Sequence, residues 1–299
     1  MGESKLTITR RDFIKGAGAT AVGMAIGLPA LAQEVVKEPA KSRVVLVRYK
    51  DAVGGDGKIN GAIIQQMLDD AVTALFDNDD PVACWKRIIK PDDIVGIKSN
   101  VWAYLPTPPE VEQAIKKRVM DAGVPEKNIG IDDRGVLYHP IFKKATALIN
   151  TRPMRTHAWS GVGSLIKNYI MFDPNPQDYH PDSCATLGSL WNLPVVKGKT
   201  RLNVLVMLTP LFHGVGWHHF NPKYVWPYRG LIVGADPVAV DAIGLQILRA
   251  RRREYFGKDS PINPPPHHIM LADKKYHLGT SDLKRIELVR LGWEEGVLI

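Results

Sequence analysis

Apolar and polar positions along this chain repeat with two periods, and the switches between them mark out its elements. RVVLVRY (43–49) is a continuous β-branched run that predicts a buried strand, while IIQQMLDDAVTALF (63–76) repeats its apolar positions at helical spacing. DIVGIKSNV (93–101) again predicts a strand, and PPEVEQAIKKRVMDAG (108–123) an amphipathic helix opened by prolines and stopped at Gly123. Further strands are predicted at 127–133, 145–151, 201–208, 229–236 and 285–291, with a long helix at 237–256 and a shorter one near 267–276. Strands alternating with helices predict an α/β fold, a largely parallel (mixed) sheet flanked by helices, as a single domain over 43–299. Ligands of such sheets lie beyond the C-terminal ends of the strands, so residues at strand exits are the first candidates for chemistry.

Residues 1–32 fall outside this alternation and have the parts of an export signal: a basic start, a small apolar core and Ala30-Leu31-Ala32 as a cleavage site. Arg10 and Arg11 are adjacent within TRRDFIK, which closely resembles the twin-arginine motif. That likeness implies handling by the twin-arginine translocase, which carries folded proteins, and a periplasmic destination. A permanent span needs about 20 strongly apolar residues; this core is diluted by glycines and broken by Pro29, so no membrane span is expected after cleavage at Ala32. QEVVKEPAKS (33–42) reads as a polar linker.

Composition narrows the partners. The formal charge is +8, and its densest cluster is LRARRREYFG around Arg249, Arg251, Arg252 and Arg253. Cations near a helix C-terminus account for that cluster, and no nucleic-acid partner is expected outside the cytoplasm. The two cysteines, Cys84 and Cys184, form no C-x-x-C, so no iron–sulfur cluster is expected in this chain. Export leaves open whether they pair or stay as separate buried thiols.

Three stretches carry candidate chemistry. Lys98 and Asn100 follow one strand and Asp132 another; RPMRTHAWSGVGSLIKNYI (152–170) supplies Arg155, Thr156, His157, Ser164, Lys167 and Asn168. With Ser164 capping a helix that opens at Leu165, the free N–H groups there favour an anion. His157 is the acid–base candidate, because its reference pKa lies near neutrality. The second stretch, LFHGVGWHHF (211–220), places His213, His218 and His219 within seven residues. They are candidates for zinc, copper or iron, with aromatic packing around a polar loop as the alternative. The third, GADPVAVDAIG (234–244), offers Asp236 as an N-cap and Asp241 as an acid among apolar neighbours that needs a partner.

Taken in order, IVGIKSN, NIGIDD, MRTHAWSGVGSLIKN, GLIVGADPVAVDAIG and LGTSDLKRIELVRLGW resemble the domain-of-unknown-function family 362 over most of residues 43–292. The resemblance implies a fold and candidate positions, with no settled reaction. Two departures stand out: Arg155 replaces the family's usual lysine, and Thr209-Pro210 stands where an aspartate usually follows the strand. Some relatives carry ferredoxin-like segments, which this chain lacks. The expectation is an exported protein acting on a small carboxylate- or phosphate-bearing ligand, with catalytic roles for His157, Lys167 and Asp132 and binding roles for Lys98, Asn100, Arg155, Thr156, Ser164, Asn168 and Asp241. A non-catalytic binding or accessory role in a redox system is the alternative.

Overall fold

A computed structural model describes residues 41–214 and 220–299 of the chain. Arg10, Arg11, His218 and His219 lie outside the described residues, as do the cleavage site and nearly all of the linker.

The sheet grows from strands whose apolar residues point alternately to both faces. β1 (Ser42–Arg48) sends Val44 and Leu46 into one core and Val45 and Val47 into the other. α1 (Gly61–Phe76) buries Ile64, Met67, Leu68, Ala71 and Val72, the i, i+3, i+4, i+7, i+8 stripe of a helix lying on a sheet. Ile64, Met67, Leu68 and Val72 each contribute about 1.5–3 kcal/mol when fully buried. α2 (Pro81–Ile88) starts where the Asp80 side chain accepts from the amides of Val82 and Ala83. β2 (Val95–Lys98), α3 (Pro109–Asp121), β3 (Ile129–Asp132) and α4 (Pro140–Lys144) follow. β4 (Ala147–His157) turns back into β5 (Gly161–Gly163) and leads to α5 (Leu165–Asn168). β6 (Thr200–Leu211), β7 (Gly230–Gly234), α6 (Pro237–Phe256), α7 (His267–Lys274) and β8 (Ile286–Gly292) complete the described elements.

The sheet order is β3-β2-β4-β6-β7-β1-β8, with β5 paired to β4. Along that path the pairs are parallel except where β7 runs against both β6 and β1. The mixed, mostly parallel α/β sheet is therefore present as expected. α1, α2 and α3 cover one face, and α4 to α7 cover the other. The chain leaves β2 toward β3 on one side and leaves β4 toward β6 on the other, which opens a crevice between the ends of β2 and β4.

Two elements differ from the sequence expectation. β4 continues through Arg152, Pro153, Arg155 and His157, a stretch whose proline and charges read as a loop. Pro153 is tolerated because the β4–β6 register breaks between Pro153 and Arg155. The Gly-rich segment after it is a hairpin strand, β5. At Gly161, with φ +73°, a side chain would be strained and would overlap the Pro264 carbonyl oxygen.

Cys84 and Cys184 are free, fully buried, and belong to the two different cores. They are expected to resist a thiol-reactive chromogenic disulfide in the folded protein and to react once it is denatured; rapid reaction under native conditions would contradict their burial.

Candidate functional site

β4 sets the geometry. On a regular strand residues three apart face opposite ways, yet Arg152 and Arg155 both line one cleft, because the register break lies between them. His157 ends the strand on the same cleft, and α5 brings Lys167 and Asn168 to it. Asn100 and Trp102 enter from the β2 exit and Asp133 from the β3 exit. The cleft measures about 450 Å³ and sits at the crevice where the connections diverge.

α5 is only four residues long, and a buried network holds it in place. Asn168 Nδ2 donates to Asn150 Oδ1 (2.8 Å), Thr151 O (3.1 Å) and Lys98 O (3.2 Å), while Asn150 Nδ2 donates to Leu165 O (3.0 Å). The helix N-terminus does attract an anion, but the anion is internal. The Asp241 carboxylate accepts from the Ser164 hydroxyl (2.6 Å) and from the amides of Leu165 and Ile166 (2.9 Å each). Ser164 therefore donates to Asp241 instead of capping its own helix. Both side chains are fully buried and serve as an anchor, not as ligand contacts.

Three other expected contacts also lie off the wall. Lys98 is fully buried, ion-paired with Asp133, and donates to Ser99 O (2.8 Å). Thr156 donates its hydroxyl to the Gly214 carbonyl. Asp132 accepts from the amides of Asp133 (2.6 Å) and Gly135 (3.0 Å), so its carboxylate organises a turn. Its neighbour Asp133 reaches the cleft instead, with one oxygen on Lys98 and the other accepting from Val101 N (2.9 Å).

Once Asp133 is matched by Lys98, the wall has an unbalanced positive charge. Asp133 is the only acid among the described residues lining the cleft. Arg152 and Arg155 are 3% and 6% exposed, and neither forms an ion pair among the described residues. Arg152 donates one bond to Ser164 O (3.3 Å) and Arg155 one to Thr156 O (3.4 Å); the Nε atom of each has no partner. Lys167 is 4% exposed, and among the described residues its ammonium meets only the Cys184 sulfur, at 3.7 Å. Burial pushes Lys167 down to about 8 and Arg152 down to about 10, and burial followed by Arg152 takes Arg155 well below its ordinary value. The guanidinium groups remain charged at neutral pH.

His157 is held differently from the sequence expectation. Burial, and then the charges of Lys167 and Arg155, take its pKa well below the ordinary value, so the imidazole is neutral at pH 7. Its Nδ1 accepts from Trp159 N at 3.2 Å, which leaves the proton on Nε2. The ring can donate a hydrogen bond, but it is a poor base. Lys167 is the cleft group that exchanges a proton near neutral pH.

The amino-terminal segment adds a different kind of information. The signal sequence of the TAT (twin-arginine translocation) pathway matches residues 7–27. The chain carries an export signal. No curated protein matches the chain, and no solved structure does. The signal implies handling by the twin-arginine translocase and transport across the membrane. Among the described residues no helix is long and apolar enough to cross a membrane.

Of the histidines in the histidine stretch only His213 is described, and it does not line the cleft. His213 Nδ1 faces Arg252 Nη1 at 2.9 Å, and its ring packs edge-on against Tyr224 and Phe256, at 4.5 and 5.0 Å. Arginine only donates, so that nitrogen is engaged as an acceptor. Among the described residues no group of three or more His, Cys, Asp or Glu side chains is placed to hold a metal. Sequence reasoning passed over Arg152, Asp133, Trp102 and Trp159. The signal for Arg152 was its place in the alternation Leu148-Asn150-Arg152, visible once the strand is extended.

Proposed function

We propose that this protein, released into the periplasm after removal of residues 1–32, binds a small organic dianion in the cleft between the ends of β2 and β4. The observation that supports this most strongly is the trio of Arg152, Arg155 and Lys167, buried with no ion pair to a carboxylate among the described residues. Buried Asp133 and Asp241 offset only part of this charge, and burying uncompensated charge is costly, so a chain that retains all three cations has a counter-charge to receive. Two arginines offer planar pairs of donors suited to a carboxylate or phosphate, and His157 Nε2–H and Asn168 add neutral polar groups. The likeness to domain-of-unknown-function family 362 supports the same region, because its Thr-His and Lys-Asn positions are Thr156-His157 and Lys167-Asn168.

Binding is the primary activity in this reading, because the neutral His157 is a poor base. An enzymatic role attaches to the same cleft through Lys167, whose ammonium can donate its proton to a leaving group.

Sulfate keeps a constant charge across the useful pH range and so reports on the protein alone. Its affinity, measured by calorimetry at fixed low salt, is expected to fall as pH rises through about 8, where Lys167 loses its proton. The Lys167→Arg variant stays charged and is expected to bind sulfate equally well at pH 7 and pH 9. Undetectable sulfate binding at pH 7, or an unchanged affinity at pH 9 in the wild type, would count against the reading.

A further inference from the structure

The cleft is too large for an inorganic anion alone. At about 30 Å³ per displaced water, a tetrahedral oxyanion takes on the order of 100 Å³ of the roughly 450 Å³ available. The rest of the lining includes the aromatic rings of Trp102, Trp159 and His180, beside Ile170, Met171 and Pro176. Trp159, 55% exposed, stacks on His180 with centroids 4.2 Å apart and an interplanar angle of 25°. The Trp102 ring also lines the cleft; its centroid lies 4.0 Å from the Arg155 guanidinium carbon, and Tyr104 and Phe220 meet it edge-on at 5.2 and 5.8 Å. Large aromatic surface left open beside buried cations marks a binding groove more often than a packing accident.

Resting on the anion reading above, we propose that the ligand is an aromatic or heteroaromatic anion, a planar ring bearing a carboxylate or phosphate. The anionic head reaches Arg152 and Lys167. The ring lies between the Trp159–His180 stack on one side and the Trp102–Arg155 pair on the other. That arrangement suits a π-face, since offset ring contacts and guanidinium–ring contacts are both available without moving the backbone. An aliphatic anion of equal charge would gain the head-group contacts but leave both aromatic walls wet.

Two matched probe pairs test this on the full exported chain: phenyl phosphate against glycerol phosphate, and phthalate against succinate. By titration calorimetry or tryptophan quenching at pH 7, the aromatic member of at least one pair is expected to bind ten or more times more tightly than its aliphatic partner. The pair showing the larger margin identifies the head group. Trp159→Ala, an exposed position whose loss does not threaten folding, is expected to narrow that margin to under threefold. Equal affinities within both pairs would overturn the aromatic assignment while leaving the anion site standing, as would a margin untouched in Trp159→Ala. Failure of all four probes, and of inorganic phosphate, to bind would overturn both.

Discussion

Asp241→Ala is expected to cost about 3–5 kcal/mol of folding stability, because it strips a buried carboxylate from three donors that have no other partner among the described residues. In a domain of this size that lowers Tm by roughly 10 °C, which thermal unfolding at pH 7 will show. The loss reaches the cleft as well, since α5 carries Lys167 and Asn168 and Asp241 holds its first turn. Asp241→Asn keeps the shape and one acceptor, so it is expected to lose roughly half as much. Wild type and the Asn variant should also differ in pH dependence. Burial raises the Asp241 pKa from 3.8 to about 6, so the folded state holds this proton more tightly than the unfolded chain. That contribution is complete below about pH 4 and disappears as pH rises through about 6. Relative to Asp241→Asn, wild type is therefore expected to lose on the order of 3 kcal/mol between those limits and to stay level above them. A difference that is flat with pH would mean that the carboxylate is already ionised in acid.

Arg152→Met is expected to act in the opposite direction on stability and to have the larger effect on binding. The side chain is 3% exposed, forms one long hydrogen bond and leaves Nε unpaired, so a thioether of similar reach removes a desolvated charge at little packing cost. A rise in unfolding free energy of about 1–3 kcal/mol is expected without ligand. The same change deletes a charge-assisted contact worth about 1.5–3 kcal/mol to a bound anion, a loss of roughly 10- to 100-fold in affinity. Melting curves with and without sulfate measure both. Sulfate should raise the wild-type Tm by linkage and, at the same concentration, raise that of Arg152→Met much less, closer to its general salting effect. A variant that is less stable than wild type, or that binds sulfate as well, would show that Arg152 is structural. Opposed effects on stability and binding are what a site preorganised for a counter-charge should give.

Much of the fold was legible because its strands are unambiguous. Runs such as RVVLVRY and RLNVLVML are too apolar for a surface and too short for a spanning helix, and Pro237 opens the long helix where the sequence says it should. What stayed hidden depended on partners distant along the chain. β4 reads as a loop beyond residue 151 because Arg152, Pro153 and Arg155 look hostile to a buried strand. Only β6 alongside, with its register break, makes that stretch a strand and turns both arginines to one side. The candidate positions fall into two groups in the structure. Arg155, His157, Lys167, Asn168 and Asn100 share the cleft, whereas Asp132 yields its place to Asp133 because a tight turn consumes its carboxylate. Asp241 and Ser164 satisfy each other across 77 residues, a pairing that no local spacing announces. The weak helix-start signal at Leu165 correctly pointed to a negative charge, but that charge came from within the chain.

The position of β1 has a consequence for timing. It is the first strand after the export signal in sequence, yet both of its neighbours in the sheet, β7 and β8, come from the far end of the polypeptide. Residues 42–48 therefore emerge from the ribosome long before either hydrogen-bonding edge they need exists. They cannot be locked in until residue 292 has been synthesised. A chain cut before β8 would carry the export signal while leaving one edge of β1 unpaired. In this topology β8 is the late-made partner that covers the second edge of the earliest described strand.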